Sequence, residues 1–238
     1  MKIRMKHYVI CLITILFGVH AYGQQWRTGN VVVYKGADIE DVIPHSISYF
    51  FPEYIRGSIY FTDRKTIEDV LLNICLVDNT VRYVDKSGML RKLFDVSNIT
   101  KIIAGDDTIM NSSKGFARLL ESYRDIYLVK KKILNCTGAD ESDNIRQRSS
   151  FDVQRFPPGE YTYEYREKLF IIEEGAGVYQ VSQHTFRKVF PKIKKNISEF
   201  CNIRDMDFSN DEEVVDLFLR CGYVMEHSGT ELFDVIRY

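Results

Sequence analysis

The sequence lacks the short motifs by which many catalytic sites are recognised. None of the patterns G-x-S-x-G, H-E-x-x-H, C-x-x-C or the phosphate-binding P-loop occurs in its 238 residues. Histidine is also scarce, since only His45, His184 and His227 follow residue 23. Cys221 and His227 are the single pair with metal-like spacing, whereas a structural zinc site needs four ligands. We therefore expect no metal, no cofactor and no catalytic residue.

Acidic residues cluster without the spacing that carboxylate chemistry requires. Residues 140–144 are rich in oxygen ligands but lack the alternation of a calcium-binding loop. The adjacent pairs Asp106–Asp107 and Glu173–Glu174 would diverge on a strand, so neither could face one bond as a catalytic dyad does. A hydrolase with carboxylates on separate loops stays as an alternative.

The charge of the chain is nearly balanced, with 32 basic and 33 acidic residues. Without residues 1–23, which carry three of the basic residues, the net charge is about −4. This weakly negative charge gives no excess of basic residues for binding nucleic acid. Two short basic clusters, residues 130–132 and 192–195, are interpreted as solvated faces.

The first 23 residues have the composition of a secretory signal peptide. Basic residues lie at positions 2, 4 and 6, an apolar run covers residues 8–19, and the small residues Ala21 and Gly23 follow. We expect cleavage after Gly23 and a periplasmic or cell-surface protein. The apolar run is shorter than the ~20 residues that span a bilayer, so we expect no membrane span after cleavage. A retained N-terminal anchor is the alternative.

Four cysteines follow the expected cleavage site: Cys75, Cys136, Cys201 and Cys221. An even number in an exported chain permits disulfides without requiring them. Cys201 and Cys221 would lie about 15 Å apart on a helical hairpin, beyond the ~7 Å reach of a disulfide. We expect no bond between these two and expect Cys75 to be a small buried residue. The other pairings are left open.

Residues 57–103 predict an antiparallel meander, since short apolar runs alternate with turn residues and no proline interrupts them. Residues 70–77 are apolar in both alternating sets, which is typical of a central strand covered on both faces. Turn residues follow at Asp78–Asn79 and at Asp85–Gly88. We expect five strands in this stretch.

Further strands are expected before the chain turns helical. Residues 116–134 predict a hairpin around Arg124–Asp125, and residues 106–114 predict a polar connection. Residues 136–150 predict a surface loop. Strands are again expected between residues 161 and 182.

From residue 186 onwards apolar residues recur at helical spacing. Pro191 falls inside this pattern and should kink the helix or start a new one. A capping box at residues 209–212 opens a second helix, which Gly222 is placed to end. The sequence thus predicts an α+β, mainly β protein: a curved antiparallel meander over residues 24–182, with residues 183–238 as a helical hairpin packed on the sheet.

Three tyrosines, Tyr161, Tyr163 and Tyr165, share one face of an expected strand. Such an aromatic face could stack against a sugar ring or hold an apolar ligand, so we interpret the three residues as a candidate ligand-binding site. The alternative is that they cover the core.

Three strings, FPEYIRGSIYFTDRK, LLNICLVDNTVRYVDKSG and VFPKIKKNISEF, carry a resemblance to a family. Together they resemble exported β-meander proteins of unknown function from Bacteroidetes. The matching positions are Phe51, Pro52, Gly57, Leu72, Asn73, Phe190 and Pro191. The resemblance implies an exported β-meander with a C-terminal helix but no biochemical role. Since Asp-Thr followed by an aliphatic residue is an O-glycosylation site in such bacteria, it also implies modification at Thr108.

We therefore expect an exported, non-catalytic binding or interaction protein of the cell envelope. Its partner would be an envelope protein, or an apolar or glycan ligand on the tyrosine face. A structural subunit of an envelope complex is a further alternative, which a flat exposed apolar patch would favour.

Overall fold

A computed structural model describes residues 27–138, 158–227 and 229–235. The expected signal peptide and most of the expected surface loop at residues 136–150 lie outside these ranges.

Within these ranges eleven strands form one sheet, in which every pair of neighbours is antiparallel. The strands are β1 Arg27–Val33, β2 Ile55–Phe61, β3 Thr66–Cys75, β4 Thr80–Val84, β5 Leu90–Leu93, β6 Ile99–Ala104, β7 Asp107–Ser112, β8 Gly115–Tyr123, β9 Ile126–Gly138, β10 Gly159–Glu173 and β11 Gly177–Gln180. Their order is β1-β10-β9-β8-β7-β6-β2-β3-β4-β5, and β11 pairs with β10. The predicted mainly antiparallel fold with helices on the sheet is confirmed.

The five strands expected between residues 57 and 103 are present, but they do not form one continuous meander. The strand β6 pairs with β2 instead of β5, so the chain crosses back before it continues to β10. Gly57 explains why this pairing is close: a Cβ atom there would lie 2.4 Å from the carbonyl oxygen of Ile103 on β6. The crossing leaves β5 at one end of the sheet.

The polar stretch expected as a connection between residues 106 and 114 is a strand. The strand β7 pairs with β6 on one side and with β8 on the other. Its polar side chains hide the strand from a hydrophobicity pattern, although Ile109 is fully buried. The expected hairpin of β8 and β9 is confirmed, with Arg124 at φ +52° in its turn.

In the part of the chain that the structure describes, five helices accompany the sheet: α1 Ile39–Val42, α2 His45–Ser48, α3 Gln183–Val189, α4 Lys194–Arg204 and α5 Asp211–Glu226. Pro191 starts a short 3₁₀ turn between α3 and α4, as the sequence predicts. At the start of α5 the Asn210 side chain accepts a hydrogen bond from Glu212 N–H. Gly222 does not end α5, which corrects the prediction. Its lack of a side chain lets the helix approach β8, because a Cβ there would lie 3.0 Å from the Tyr123 ring.

The hydrophobic core has two main parts on the helix-bearing side of the sheet. Helices α3 to α5 cover β8 to β10 with a cluster that includes Phe186, Phe190 and Phe218. Strands β2 to β8 enclose a second cluster, into which Phe50 and Phe51 insert from the segment before β2. A lysine clamp joins the helices to the sheet, since Lys130 Nζ lies 2.5 Å from Asp211 and 2.9 Å from Glu167. All three lysines at 130–132 are partly buried, and Lys132 Nζ donates to the Phe50 carbonyl at 2.6 Å, so this cluster is not the solvated face that the sequence predicts.

One buried amide holds the segment before β2 against β3. The Asn73 side chain accepts a hydrogen bond from Phe51 N–H at 3.0 Å and donates to the carbonyls of Phe51 at 2.9 Å and Glu53 at 3.2 Å. The Asn73 amide is fully buried and Phe51 is buried, so water cannot replace the amide at the two Phe51 backbone groups.

We predict that Asn73→Ala lowers the free energy of unfolding by about 2–4 kcal/mol, because it leaves the two buried backbone groups of Phe51 without their Asn73 partner. Urea denaturation measures this change. The matched control is Asn98→Ala in an exposed turn, for which we expect a loss below ~0.5 kcal/mol. Equal losses in both variants would contradict the anchoring role of Asn73.

Candidate functional site

The three tyrosines of the candidate ligand face share one side of β10, as predicted, but that side is buried. Tyr161, Tyr163 and Tyr165 are 6%, 9% and 3% exposed. They pack against Ile39 and Ile47 of α1 and α2 in a small apolar cluster. The structure therefore removes the exposed aromatic face on which the ligand-binding hypothesis depended. Sequence alternation gives the shared side but not the helices that cover it.

The other predicted site residue, Thr108, lies in β7 opposite Ile103 of β6 and is partly exposed. Its neighbour Asp107 forms an ion pair with Arg118 at 3.0 Å. Modification of Thr108 stays a prediction.

A buried polar cluster around Arg82, which the sequence analysis missed, joins α1 to β3, β4 and β5. The Arg82 guanidinium bonds to the Glu40 carboxylate of α1, to Asp78 at 3.4 Å and to the Tyr49 hydroxyl at 2.9 Å. Asp78 also pairs with Lys92 of β5 at 2.5 Å. The residues come from four separate elements, so no local spacing could have revealed the cluster.

The cluster balances its charges, with two carboxylates facing two cations. Burial acts to raise the pKa of Asp78, but hydrogen bonds from Lys92 and Thr80 outweigh it and hold that pKa below its usual range. Burial raises the pKa of the Cys75 thiol well above its usual range, and the nearby carboxylates of Asp78 and Glu40 raise it further. The thiol therefore stays neutral and donates a hydrogen bond to Glu40 at 3.2 Å.

The side chains of Glu40, Cys75 and Asp78 are close enough for a metal site, with ligand atoms within 4.8 Å of one another. However, the Arg82 guanidinium contacts both carboxylates, and a thiol ligand would have to lose its proton. The Arg82 guanidinium and the Lys92 ammonium already neutralise the two carboxylates. We conclude that the cluster is a structural latch between α1 and the β3–β4–β5 end of the sheet.

The latch fixes an open edge strand that carries exposed apolar side chains. Among the strands that the structure describes, β5 pairs with β4 alone. Met89, Leu90 and Phe94 are 53%, 58% and 50% exposed. Leu90 also continues a row across the sheet, since it lies opposite the half-buried Val84, which lies opposite the exposed Leu71. We call Met89, Leu90 and Phe94 with this free strand the β5 edge.

The hairpin turn determines which backbone groups of the β5 edge face outward. Asp85 N–H donates to the Met89 carbonyl at 2.9 Å, and Gly88 adopts φ +81° in the three-residue loop. Because hydrogen-bonded pairs alternate along an antiparallel ladder, the N–H groups of Leu90 and Lys92 point away from β4. These N–H groups are free to donate hydrogen bonds to the carbonyls of a further strand.

Both charged side chains of β5 form ion pairs with nearby carboxylates. Arg91 pairs with Asp85 at 2.6 Å, and Lys92 pairs with Asp78 of the latch. Charges on an edge strand normally discourage pairing with another chain. Here Arg91 and Lys92 already have carboxylate partners, although the Arg91 side chain is still 49% exposed. The β5 edge therefore offers apolar surface beside charges that are already paired.

The residues that a catalytic alternative would need are not assembled within the described ranges. No histidine there hydrogen-bonds to a serine or cysteine; His227 instead contacts the Tyr223 carbonyl at 2.9 Å. Two pairs of carboxylates converge there. The oxygens of Glu40 and Asp78 are held by Arg82, Lys92, Thr80 and the Cys75 thiol, and those of Glu167 and Asp211 are held by Lys130.

The positions that carry the family resemblance have structural roles. Phe51 is bound by Asn73, Gly57 permits the approach of β6, and Pro191 separates α3 from α4.

No family model, curated protein or solved structure matches this chain. No helix in the described ranges is both long and apolar enough to cross a bilayer. The membership of a Bacteroidetes family stays a prediction.

We predict that Arg82→Met costs about 3–5 kcal/mol of unfolding free energy, because it leaves the carboxylates of Glu40 and Asp78 without their shared cation. The matched control is Arg56→Met, whose ion pair with Asp69 is exposed and should contribute under ~1 kcal/mol. Chemical denaturation of both variants gives the comparison. A loss below ~1 kcal/mol for Arg82→Met would mean that the latch contributes little.

The four described cysteines are free, and we predict that all of them react slowly in the folded protein at pH 8. Burial raises the pKa of Cys136 and of Cys201 to about 11, so little thiolate forms. Alkylation mapped by peptide mass, with and without urea, measures the protection at each site. Rapid labelling of Cys75 or Cys221 without urea would contradict it.

The same shifts predict a loss of stability in alkali. Unfolded thiols release their protons near pH ~8.5, whereas Cys136 and Cys201 keep theirs in the folded state up to about pH 11. The unfolded state therefore binds fewer protons, and unfolding becomes easier as the pH rises from about 9 to 11. Replacing both residues by serine should weaken this pH dependence in thermal melts.

Proposed function

We propose that the protein is an exported, non-catalytic interaction module of the cell envelope that binds an extended segment of a partner protein along the β5 edge. The observation that carries this proposal is the coincidence of exposed apolar side chains with outward-facing backbone groups on one strand. Addition of a strand to a free sheet edge uses both, since the backbone provides affinity and the side chains provide specificity. Export is supported by the basic and apolar N-terminal sequence.

The exposed side chains favour a partner with an apolar strand. Full burial of a side chain such as leucine or methionine contributes about 1.5–3 kcal/mol. The Lys92 ammonium lies 5.0 Å from the centre of the Phe94 ring and is paired with Asp78. A partner strand would therefore cover apolar surface without having to separate an ion pair.

The rigid support of β5 favours the same interpretation. An edge that must order itself on binding loses affinity, whereas a preorganised edge does not. Lys92 is held by Asp78, Asp78 by Arg82, and Arg82 by Glu40. The β5 edge is thereby tied to α1 and is ready to receive a strand.

The test places a photo-crosslinking amino acid at Met89 in the native host and identifies the captured protein by mass spectrometry. The spatial control carries the same amino acid at Tyr34, which is 69% exposed. Tyr34 directly follows β1, the strand at the other end of the sheet order. We expect one protein to be captured at Met89 and absent at Tyr34.

Two substitutions of Leu90 then separate the backbone from the side chain. Leu90→Pro removes an outward-facing N–H, and proline is tolerated at the first residue of an edge strand. Leu90→Ser keeps the N–H and removes the apolar group. We expect Leu90→Pro to abolish capture and Leu90→Ser to weaken it, with unchanged melting temperatures. If Leu90→Pro captures as much as the unchanged protein, strand addition is wrong. Capture of a second copy would instead identify a dimer.

A further inference from the structure

Positive charge is concentrated on helices α3 and α4. Residues 183–204 contain six lysines and arginines and one acidic residue, Glu199, although the whole chain has a formal net charge of −1. All six basic side chains are exposed: Arg187, Lys188, Lys192, Lys194, Lys195 and Arg204. The sequence places two basic clusters near each other but does not show that the helices present them together.

The structure brings part of this charge around a shallow depression of about 580 Å³ between α3 and α4. Arg187 of α3 and Lys194 and Lys195 of α4 lie along it together with Ile203, and Glu199 is the one carboxylate in its lining. Ile203 is 64% exposed, although it belongs to a helix whose opposite side is buried through Ile197 and Phe200. We call Arg187, Lys194, Lys195 and Ile203 the basic face.

The charges of the basic face are not used inside the protein. None of the ion pairs in the described ranges involves the six basic residues of α3 and α4. In contrast, basic residues of the sheet, such as Lys130 and Arg118, pair with nearby carboxylates. Besides Glu199, the acidic residues of this helical region follow α4 or belong to α5: Asp205, Asp207, Asp211, Glu212, Glu213, Asp216 and Glu226.

We propose that the basic face docks the protein on a bilayer that contains anionic phospholipids. Basic side chains close to such a surface are attracted to its negative potential, which falls off within about a Debye length. An exposed apolar residue among them can enter the interfacial region, as on peripheral amphipathic helices. The helices α3 and α4 would lie on the membrane without crossing it.

The composition of the face distinguishes a bilayer from an acidic protein. Single lysines on flexible stems bind phosphate groups as point charges, and a fluid bilayer can arrange its headgroups under them. Ile203 would remain exposed against a purely acidic peptide, whereas a bilayer offers it an apolar layer. The proposal uses no property of the β5 edge, so either proposal can fail without the other.

Vesicle co-sedimentation tests the proposal with the protein purified after export. The probe is phosphatidylcholine vesicles with about one third phosphatidylglycerol, compared with pure phosphatidylcholine vesicles, at salt between ~0.05 and ~0.5 M. We expect binding to the anionic vesicles only, with a marked loss at the higher salt.

The decisive variant is Lys194→Gln with Lys195→Gln, for which we expect binding to weaken about 25-fold, since each basic residue near an anionic surface is worth about fivefold. The matched control is Lys35→Gln with Lys86→Gln, which removes the same charge from exposed positions elsewhere. Ile203→Ser should weaken binding roughly tenfold through lost apolar contact. Circular dichroism verifies that each variant is folded.

Three results would overturn the proposal. One is failure of the unchanged protein to bind anionic vesicles at low salt. Another is an equal loss in the control pair, which would show a nonspecific effect of net charge. The third is full competition by polyglutamate together with no effect of Ile203→Ser, which would identify an acidic protein as the partner.

Discussion

The attachment of the segment before β2 to strand β3 is the constraint on which the rest of the molecule depends. Phe50 N–H donates to the Ile74 carbonyl and Leu76 N–H donates to the Ser48 carbonyl, each at 2.8 Å. The Asn73 amide then binds the backbone of Phe51. This attachment inserts Phe50 and Phe51 into the core of β2 to β8. It also places α1 where Glu40 reaches Arg82. Without it, the core between the sheet and this segment would open to water.

The latch around Arg82 shows how buried polar groups can specify an arrangement instead of a reaction. Removing ions from water is costly, and a buried pair often contributes little net stability. Glu40, Asp78 and Lys92 come from different parts of the chain, and Arg82 joins them in one network of ion pairs. The network therefore specifies how these parts are arranged. The neutral Cys75 thiol completes the cluster as a hydrogen-bond donor. The latch includes β5 itself through Lys92, so the network that specifies the arrangement of α1, β3 and β4 also holds the β5 edge in place.

The two proposed contact surfaces lie on different parts of the sheet. The β5 edge ends the strand order on one side, whereas α3 and α4 belong to the helical layer over β8 to β10. A protein held on a bilayer by its helices would leave β5 free for a partner strand. The physical basis of the two contacts also differs, because strand addition depends on backbone hydrogen bonds and apolar burial, while the basic face depends on salt-sensitive attraction.

Local patterns in the sequence determined the elements. Short apolar runs located the strands between residues 57 and 103, the turn residues located their hairpins, and Pro191 located the break between α3 and α4. These features depend on neighbours within a few residues, which the sequence contains. The strand β7 was missed because its polar side chains carry little hydrophobic signal, and Gly222 was misread because a helix-ending glycine and a close-packing glycine look alike in sequence.

Only the tertiary structure decided which of these elements meet. It placed β6 beside β2, covered Tyr161, Tyr163 and Tyr165 with α1 and α2, and gathered Glu40, Cys75, Asp78 and Arg82 into one cluster. The sequence could show that the tyrosines share a side, because alternation along a strand is local. It could not show that the side is buried, because burial depends on residues more than a hundred positions away. The physical reason is that contacts distant along the chain follow from the packing of the whole apolar surface, and no single segment records that packing.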